Sequence, residues 1–491
     1  MSAAPLAAAL ARWAAHTPHR PALEHESGAV TWEQLNARVT RARARYRTAG
    51  DRVPGRRVGI LGRNHPDTVV ALLAVAANGA EPLLYDARAT AHERGQVAAL
   101  AGATTWHTPA GEPAPTPAGP PVTASAVPVA PGPASPVSFG HAPAGQQPPA
   151  RYFGLVTSGT GGLPKVVRKP WDATLTNAAA FAEAAGYRAD DRILCTTPLH
   201  HAYAFGVALL PALLTGATLV LAPHPATPAA LAAALRRSDA TVVQSVPFLY
   251  RSLLAVGEPP TAPAPRVCVS AGEPLPAQLA RDWLKAAGVP LRDQYGCTEF
   301  GQIAYTVGDP GGPMRLMPGV EARLRTEDGS WAVHDPDASG ELYLRHDGGP
   351  VIYWGLPDLS RTSHIDGWFR TGDTGRLPTP RTVVVEGRTT RRISVAGRKV
   401  DPDEVERAVL AAPGVTECRV AAPPEGTEGH GDLFVAFLAV EPGVTETEVR
   451  RHVARTLSSY KVPTRFDLRD TLPRTGSGKV HLARLWGELS A

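Results

Sequence analysis

The strongest constraint on the fold of this chain is an alternation of short apolar runs with segments of helical composition. Arg57-Val58-Gly59-Ile60-Leu61 reads as a strand, Asp67 to Ala77 as a helix and Glu81-Pro82-Leu83-Leu84-Tyr85 as the next strand. A strand–helix–strand unit of this kind favours a parallel sheet with covering helices. The alternation resumes with Arg192-Ile193-Leu194-Cys195, Thr218-Leu219-Val220-Leu221, Thr241-Val242-Val243 and Arg266-Val267-Cys268-Val269-Ser270. Ligand sites in such sheets gather at the C-terminal ends of the strands, so the loops after these runs are where chemistry is expected.

One apolar run, Tyr152 to Val156, breaks into Thr157-Ser158-Gly159-Thr160-Gly161-Gly162-Leu163-Pro164-Lys165. Glycines let backbone N–H groups turn inward, Thr157, Ser158 and Thr160 add short hydroxyl donors, and Lys165 brings a positive charge. A nest of that kind can hold phosphate oxygens. A solvent-exposed turn would have the same composition. The P-loop pattern is not met either, because Pro164 precedes Lys165 and Val166 follows it.

Four further stretches weigh against the bland reading. Gln294-Tyr295-Gly296-Cys297-Thr298-Glu299 offers an aromatic face, a hydroxyl and a carboxylate. Phe369-Arg370-Thr371-Gly372-Asp373 puts a carboxylate in a tight turn, fit to take both hydroxyls of a ribose. Gly387-Arg388 sits at a presumed domain boundary. Pro473-Arg474-Thr475-Gly476-Ser477-Gly478-Lys479 carries one lysine at the tip of a glycine-rich loop.

At 491 residues the chain needs more than one hydrophobic core. Its 43% hydrophobic and 19% charged residues are those of an ordinary soluble protein. The net charge of +5 is the balance of 50 basic and 45 acidic residues spread along the whole length. With no basic block interleaved with aromatics, a nucleic-acid partner is not indicated. Cys195, Cys268, Cys297 and Cys418 form no CxxC pair, which suits a reducing compartment better than a disulfide framework or a zinc site. The segment Met1 to Ala15 reads as an amphipathic helix and not as a signal peptide. No apolar run reaches membrane-spanning length, so membrane insertion is not expected and the expected location is the cytoplasm.

Pro109 to Pro149, crowded with Pro, Ala and Gly, reads as an irregular connection. Beyond about Gly301 the texture changes to short, turn-rich strands: Glu321 to Leu324, Gly340 to Leu344 and Thr382 to Val385. After Arg388 come the strand Leu433 to Val440 and two helix candidates, one opening Asp401-Pro402-Asp403-Glu404 and stopping before Pro413-Gly414. About a hundred residues of this kind can make a small α+β domain.

Taken together and in this order, the motifs resemble those of the AMP-forming acyl-CoA synthetases, the superfamily that includes peptide-synthetase adenylation domains and beetle luciferases. The likeness runs from the glycine loop through Pro198 to Gly206, Ser270 to Pro274, Tyr295 to Glu299, Gly340-Glu341-Leu342, Thr371-Gly372-Asp373, Gly387-Arg388, Gly397, Leu457 to Pro463 and Pro473 to Lys479. It implies an α/β fold: residues 1–388 as a large N-terminal domain of mixed parallel sheets with helices plus a small distorted barrel, and 389–491 as a small mobile α+β domain. It also implies two half-reactions, formation of an acyl-adenylate from MgATP and transfer of the acyl group to a thiol, with the lid keeping water from the adenylate.

Roles are implied position by position. Thr157, Ser158, Gly159, Thr160, Gly161, Gly162 and Lys165 would cradle phosphates. Gly272, Glu273, Pro274, Tyr295 and Gly296 would line the adenine. Thr298 would touch the α-phosphate, and Glu299, with Thr160, would hold Mg²⁺. Asp373 would bind the ribose hydroxyls, Arg388 would bind the ribose or its phosphate, and Lys479 would stabilise charge in the adenylation transition state. His201 would gate the acid pocket, with a surface histidine pair His200–His201 as the plain alternative, and Gly397 would let the pantetheine arm of coenzyme A pass. One metal ion arriving with ATP leaves no standing metal site to expect.

Departures from the family pattern lie at Gly161, Val166 and Thr390, the last at the expected hinge. Ser270-Ala271-Gly272-Glu273-Pro274-Leu275-Pro276 with Trp283 looks most like the benzoate–CoA ligase branch. That makes Tyr203, Phe205, Phe248 and Ile303 candidates to line a pocket for a flat aromatic acid; core packing is their commoner fate. The acceptor could instead be the phosphopantetheine of a free-standing carrier protein, an amine or another small nucleophile of secondary metabolism. A nucleotide-binding paralogue without thioester-forming activity is the reading from a different class. A homodimer is an admissible assembly.

Overall fold

The computed structural model describes residues 4–48, 55–103, 105–107, 151–157, 164–223, 227–257, 265–273, 275–306, 308, 312–326, 328–333, 338–388, 393–395, 398–424, 433–473 and 480–489. The first strand–helix–strand unit forms as its pattern requires. Arg57–Gly62 and Glu81–Asp86 pair in parallel, joined by the helix Pro66–Ala77. That helix is apolar nearly all round because it is covered on all sides: it touches both of those strands and also Pro21–His25 of the other large sheet. The smaller sheet is completed by Thr105–His107 and Tyr152–Thr157, both parallel, and by Lys165–Pro170 and Ile352–Tyr353, both antiparallel.

In the larger sheet Thr218–Leu221, Arg192–Cys195, Val242–Ser245, Val267–Ala271 and Leu291–Cys297 run side by side in parallel. The strands after Gly301 do not close into a barrel. Gly301–Tyr305, Met314–Leu316, Thr382–Arg388, Trp368–Thr379, Ser339–His346, Val320–Arg325 and Trp331–Ala332 follow one another, each antiparallel to the last, and extend the same sheet. Among the described residues no closed barrel occurs, because the ladder grows outward from Leu291–Cys297 and its last strand never pairs back.

The C-terminal residues build separate cores. A hairpin of Ile393–Val395 and Arg398–Val400 leads into the helix Pro402–Leu410. The sheet of Val415–Ala421, Val435–Val440 and Arg465–Arg469 follows, with the helices Glu446–Thr456 and Leu482–Leu489. Alternation along the middle strand sorts two faces. Ala436 and Leu438 pack with Ile393, Val400 and Val453. Val435, Phe437 and Ala439 pack with Leu472, Val480 and Leu485. No helix among the described residues is long and apolar enough to cross a membrane.

Candidate active site

The ends of the parallel strands converge on a cavity of about 210 Å³. Its walls come from the large sheet (Ala271, Gly272, Gln294 and Gly296 to Glu299), from the glycine-loop flanks Thr157 and Pro164, from Thr196 to Tyr203, and from Arg398, Tyr460 and Lys461 of the C-terminal part. Residues read from six separated stretches of sequence are thus brought to one place.

Thr157 and Lys165 pair across the hairpin of Tyr152–Thr157 and Lys165–Pro170, so the two ends of the glycine loop are held together. Lys165 opens the second strand instead of capping a loop, is buried, and lies 5.6 Å from the centroid of the Tyr353 ring. Ser158, Gly159, Thr160, Gly161 and Gly162 lie outside the described residues, as do Pro274, Thr390, Gly397 and Lys479; the side chain of Arg388 is likewise not described.

Asp373 is buried, and its carboxylate accepts a hydrogen bond from the Tyr295 hydroxyl at 2.6 Å. Thr371 to Asp373 lie within the strand Trp368–Thr379 and not in the tight turn expected from the sequence; Gly372 takes φ +74° there, where a side chain would strain the backbone. Asp373 stands opposite Arg388 in the strand register. Gly272 takes φ +90° at the cavity wall, and the next residue, Glu273, accepts a hydrogen bond from the Ser394 hydroxyl of the C-terminal hairpin.

Two residues that the sequence reading missed grip Glu299. The Tyr353 hydroxyl donates to its Oε1 at 3.0 Å, and the Lys169 ammonium donates to its carbonyl at 2.6 Å. Burial lowers the Lys169 pKa to about 8, with Cys297 and Glu299 opposing the shift. Burial first and Lys169 second push His346 down to about 4. Neither Tyr353 nor Lys169 has a local signal, because each reaches Glu299 across a sheet from a distant part of the chain.

His201 lines the cavity, and burial lowers its pKa, with the Asp86 charge opposing. Its ring lies 4.5 Å from that of His200, which is buried, so the pair is not a surface feature. His200 Nε2 is 3.7 Å from Asp86 Oδ2, and Arg398 donates to the same oxygen at 2.9 Å. Arg398 also stacks 4.2 Å over the Tyr460 ring.

A second ionic contact joins the two parts of the chain. Lys461 donates to Glu93 at 2.9 Å and to Glu404 at 2.8 Å, and the Ser458 hydroxyl donates to Glu93 at 2.5 Å. Burial opposes ionisation of Glu93, but Lys461 and Ser458 outweigh it and hold the carboxyl below its ordinary value. Burial raises Glu404, with the shared lysine opposing the shift. Lys461 falls in the stretch Leu457 to Pro463 and Arg398 adjoins Gly397; both stretches were legible, but these two residues were not singled out.

Of the four pocket candidates only Tyr203 lines the cavity. Phe205 packs 4.9 Å from the Phe153 ring, Ile303 is fully buried in the same core, and Phe248 packs on a second core. An aromatic at a strand end does not reveal from sequence which way it faces, and packing claimed these three.

The AMP-binding enzyme model matches residues 10–354, and the AMP-binding enzyme C-terminal domain model matches 404–479. A feruloyl-CoA synthase of Amycolatopsis sp is 30% identical over 498 residues, covering 96% of each chain. A 3-hydroxybenzoate–CoA ligase of an Aromatoleum strain is 31% identical over 344 residues, 68% of this chain and 65% of that relative. In fold, the amide bond synthetase McbA from Marinactinospora thermotolerans superposes with a TM-score of 0.79 at 23% identity over 99% of both chains. The chain therefore belongs to the AMP-binding enzymes, the adenylate-forming superfamily, and its class is the AMP-forming acid–thiol ligases. Within that superfamily it stands close to the aryl-CoA ligases.

Proposed function

We propose that the protein activates an aromatic carboxylic acid with ATP and passes the acyl group to the thiol of coenzyme A. The observation that carries this is the composition of the cavity at the strand ends: the glycine-loop flanks Thr157 and Pro164, Thr298, Glu299 and His201 share it with Arg398 from a separate C-terminal core. In the first step a carboxylate oxygen of the acid attacks the α-phosphorus, and the bond to the bridging oxygen breaks to release pyrophosphate. In the second, sulfur forms a bond to the acyl carbon, AMP leaves with the electrons of the C–O bond, and the thiol proton is lost to water.

In this reading the loop 158–163 holds the β- and γ-phosphates between Thr157 and Lys165. Asp373 binds the ribose hydroxyls while its bond to Tyr295 fixes the ring against the adenine. Arg388 binds the ribose or its phosphate. Glu299, its carboxylate oriented by Tyr353, is the group that would hold Mg²⁺ entering with ATP, with Thr160 beside it; the ion would neutralise phosphate charge. Low pKa keeps His201 uncharged near neutral pH, so it can stand beside an apolar ring without a desolvated charge.

Residues 389–491 act as the rotating unit, hinged near Thr390. Ile393 and Val400 pack on one face of the small sheet and Leu472 and Val480, which flank 474–479, on the other, which supports a rotation that brings one side or the other to the cavity. The arrangement seen here offers the hairpin side, which suits thiol transfer; Lys479 comes into play in the other. Lys479→Ala tests the assignment. It should bind ATP normally, lose acid-dependent pyrophosphate exchange by about 10²-fold or more, and still transfer acyl from supplied adenylate. Undiminished exchange would remove Lys479 from the first step.

A further inference from the structure

Buried amide side chains around the cavity are almost all satisfied by protein. Gln244 and Thr197 bond each other at 2.8 and 3.2 Å. Asn64 donates to the carbonyls of Thr197 and Ala222 and accepts from the Leu199 N–H. Asn177 spends both ends of its amide on the Gln302 backbone, and Gln294 donates to the Tyr295 carbonyl. The Tyr203 hydroxyl is likewise used, on the carbonyls of Ser245 and Val269.

Gln302 is the exception. It is 3% exposed and lines the cavity, yet its side-chain amide makes no hydrogen bond among the described residues. Its position is enforced from two sides. Asn177 clamps its backbone, and the amide lies flat against Gly206 in the π-turn Phe205–Leu209: a Cβ built on Gly206 would come within 2.3 Å of Nε2 and 2.9 Å of Oε1. The apolar lining of the same cavity includes Val246, Leu249 and Ala271. The amide is open to the cavity, and the cavity is the direction from which a partner can come.

Resting on the reading of this cavity as an aromatic-acid pocket, we infer that the acid carries a hydroxyl or amino substituent on its ring and that Gln302 reads it. An amide offers one acceptor and two donors, so it can serve either group, and an unsubstituted ring would leave it unpaired. Sites that hydrogen-bond a substrate group reject the analogue lacking it far more strongly than an apolar pocket rejects a change of one methylene.

The test compares benzoate with 3- and 4-hydroxybenzoate and 3- and 4-aminobenzoate as substrates for acid-dependent pyrophosphate release. In the wild type at least one substituted acid should exceed benzoate in kcat/KM by about 10- to 100-fold. In Gln302→Leu the ratio of kcat/KM for that acid to kcat/KM for benzoate should fall by about 10-fold or more, because an apolar side chain can no longer pair with the ring substituent. Gln302→Met is the companion variant should the leucine fold poorly. An equal fall for all acids would make Gln302 a packing residue against Gly206 and overturn the inference, as would a wild type that prefers benzoate. If only aliphatic acids are turned over, the aromatic reading itself fails, and the inference goes with it.

Discussion

At the scale of single residues, the nucleotide end of the site hangs on Asp373. Replacing it with alanine removes the group assigned to the ribose and leaves the Tyr295 hydroxyl without its partner. Asp373→Ala should weaken ATP binding by roughly 30-fold, about 2 kcal/mol, with little change in the ranking of acids. Isothermal titration with ATP checks the first, and an acid panel the second; unchanged ATP affinity would show the ribose assignment to be wrong. Lys169 gives a pH signature. Its pKa falls from 10.5 to about 8 on burial, so between those values the unfolded chain holds a proton that the folded one has lost. The stability contributed by this residue therefore rises with pH across that window, by up to about 3 kcal/mol, and below pH 8 the cost of the buried charge is felt in full. The melting temperature of wild type relative to Lys169→Met should accordingly shift in favour of wild type from pH 7.5 to pH 10. A constant difference would mean that Lys169 is not desolvated as described.

At the scale of elements, the helix Ala91–Ala101 opens on a capping box in which Thr90 and Glu93 satisfy each other's backbone N–H groups. Thr90→Ala should cost about 1 kcal/mol in thermal or urea unfolding. That strands 57–62 and 81–86 were legible follows from their surroundings: continuous apolar runs lie in a sheet covered on both faces, where pattern and burial agree. The strand Lys165–Pro170 was not legible, since KVVRKP has charged residues at both ends and a proline; it exists because neighbours pair on both sides and Lys165 and Lys169 are buried. The expected barrel failed for another reason. Short alternating strands look the same in a closed barrel and an open sheet, and the difference lies in one long-range pairing that no local pattern encodes. At the site, the contiguous motifs were readable because each gathers its functional residue types into a few neighbouring positions, although 371–373 and 387–388 lie inside strands and not in loops. Tyr353, Lys169 and Gln302 were not, since each works through a partner far away in sequence.

At the scale of the molecule, buried ion pairs join the C-terminal part to the rest of the chain. Glu93 serves twice, as helix cap and as anchor for Lys461 and Ser458. Glutamine can keep the cap but not the charge, so Glu93→Gln separates the two roles. Breaking a buried ion pair from one side is costly, on the order of 3–5 kcal/mol, and here the cost falls on the docked arrangement. We expect Glu93→Gln to slow thiol transfer about tenfold or more while adenylation and thermal stability stay close to wild type. Rapid-quench measurement of the two half-reactions would show it, and equal slowing of both would mean that the contact is not specific to the docked state. The central claim is tested most directly by acid-dependent AMP and pyrophosphate release across aromatic and aliphatic acids, with and without coenzyme A. The account predicts turnover with an aromatic acid that rises sharply with coenzyme A and yields the acyl thioester. Adenylate formation indifferent to coenzyme A would contradict it and move the acceptor to a carrier protein or an amine.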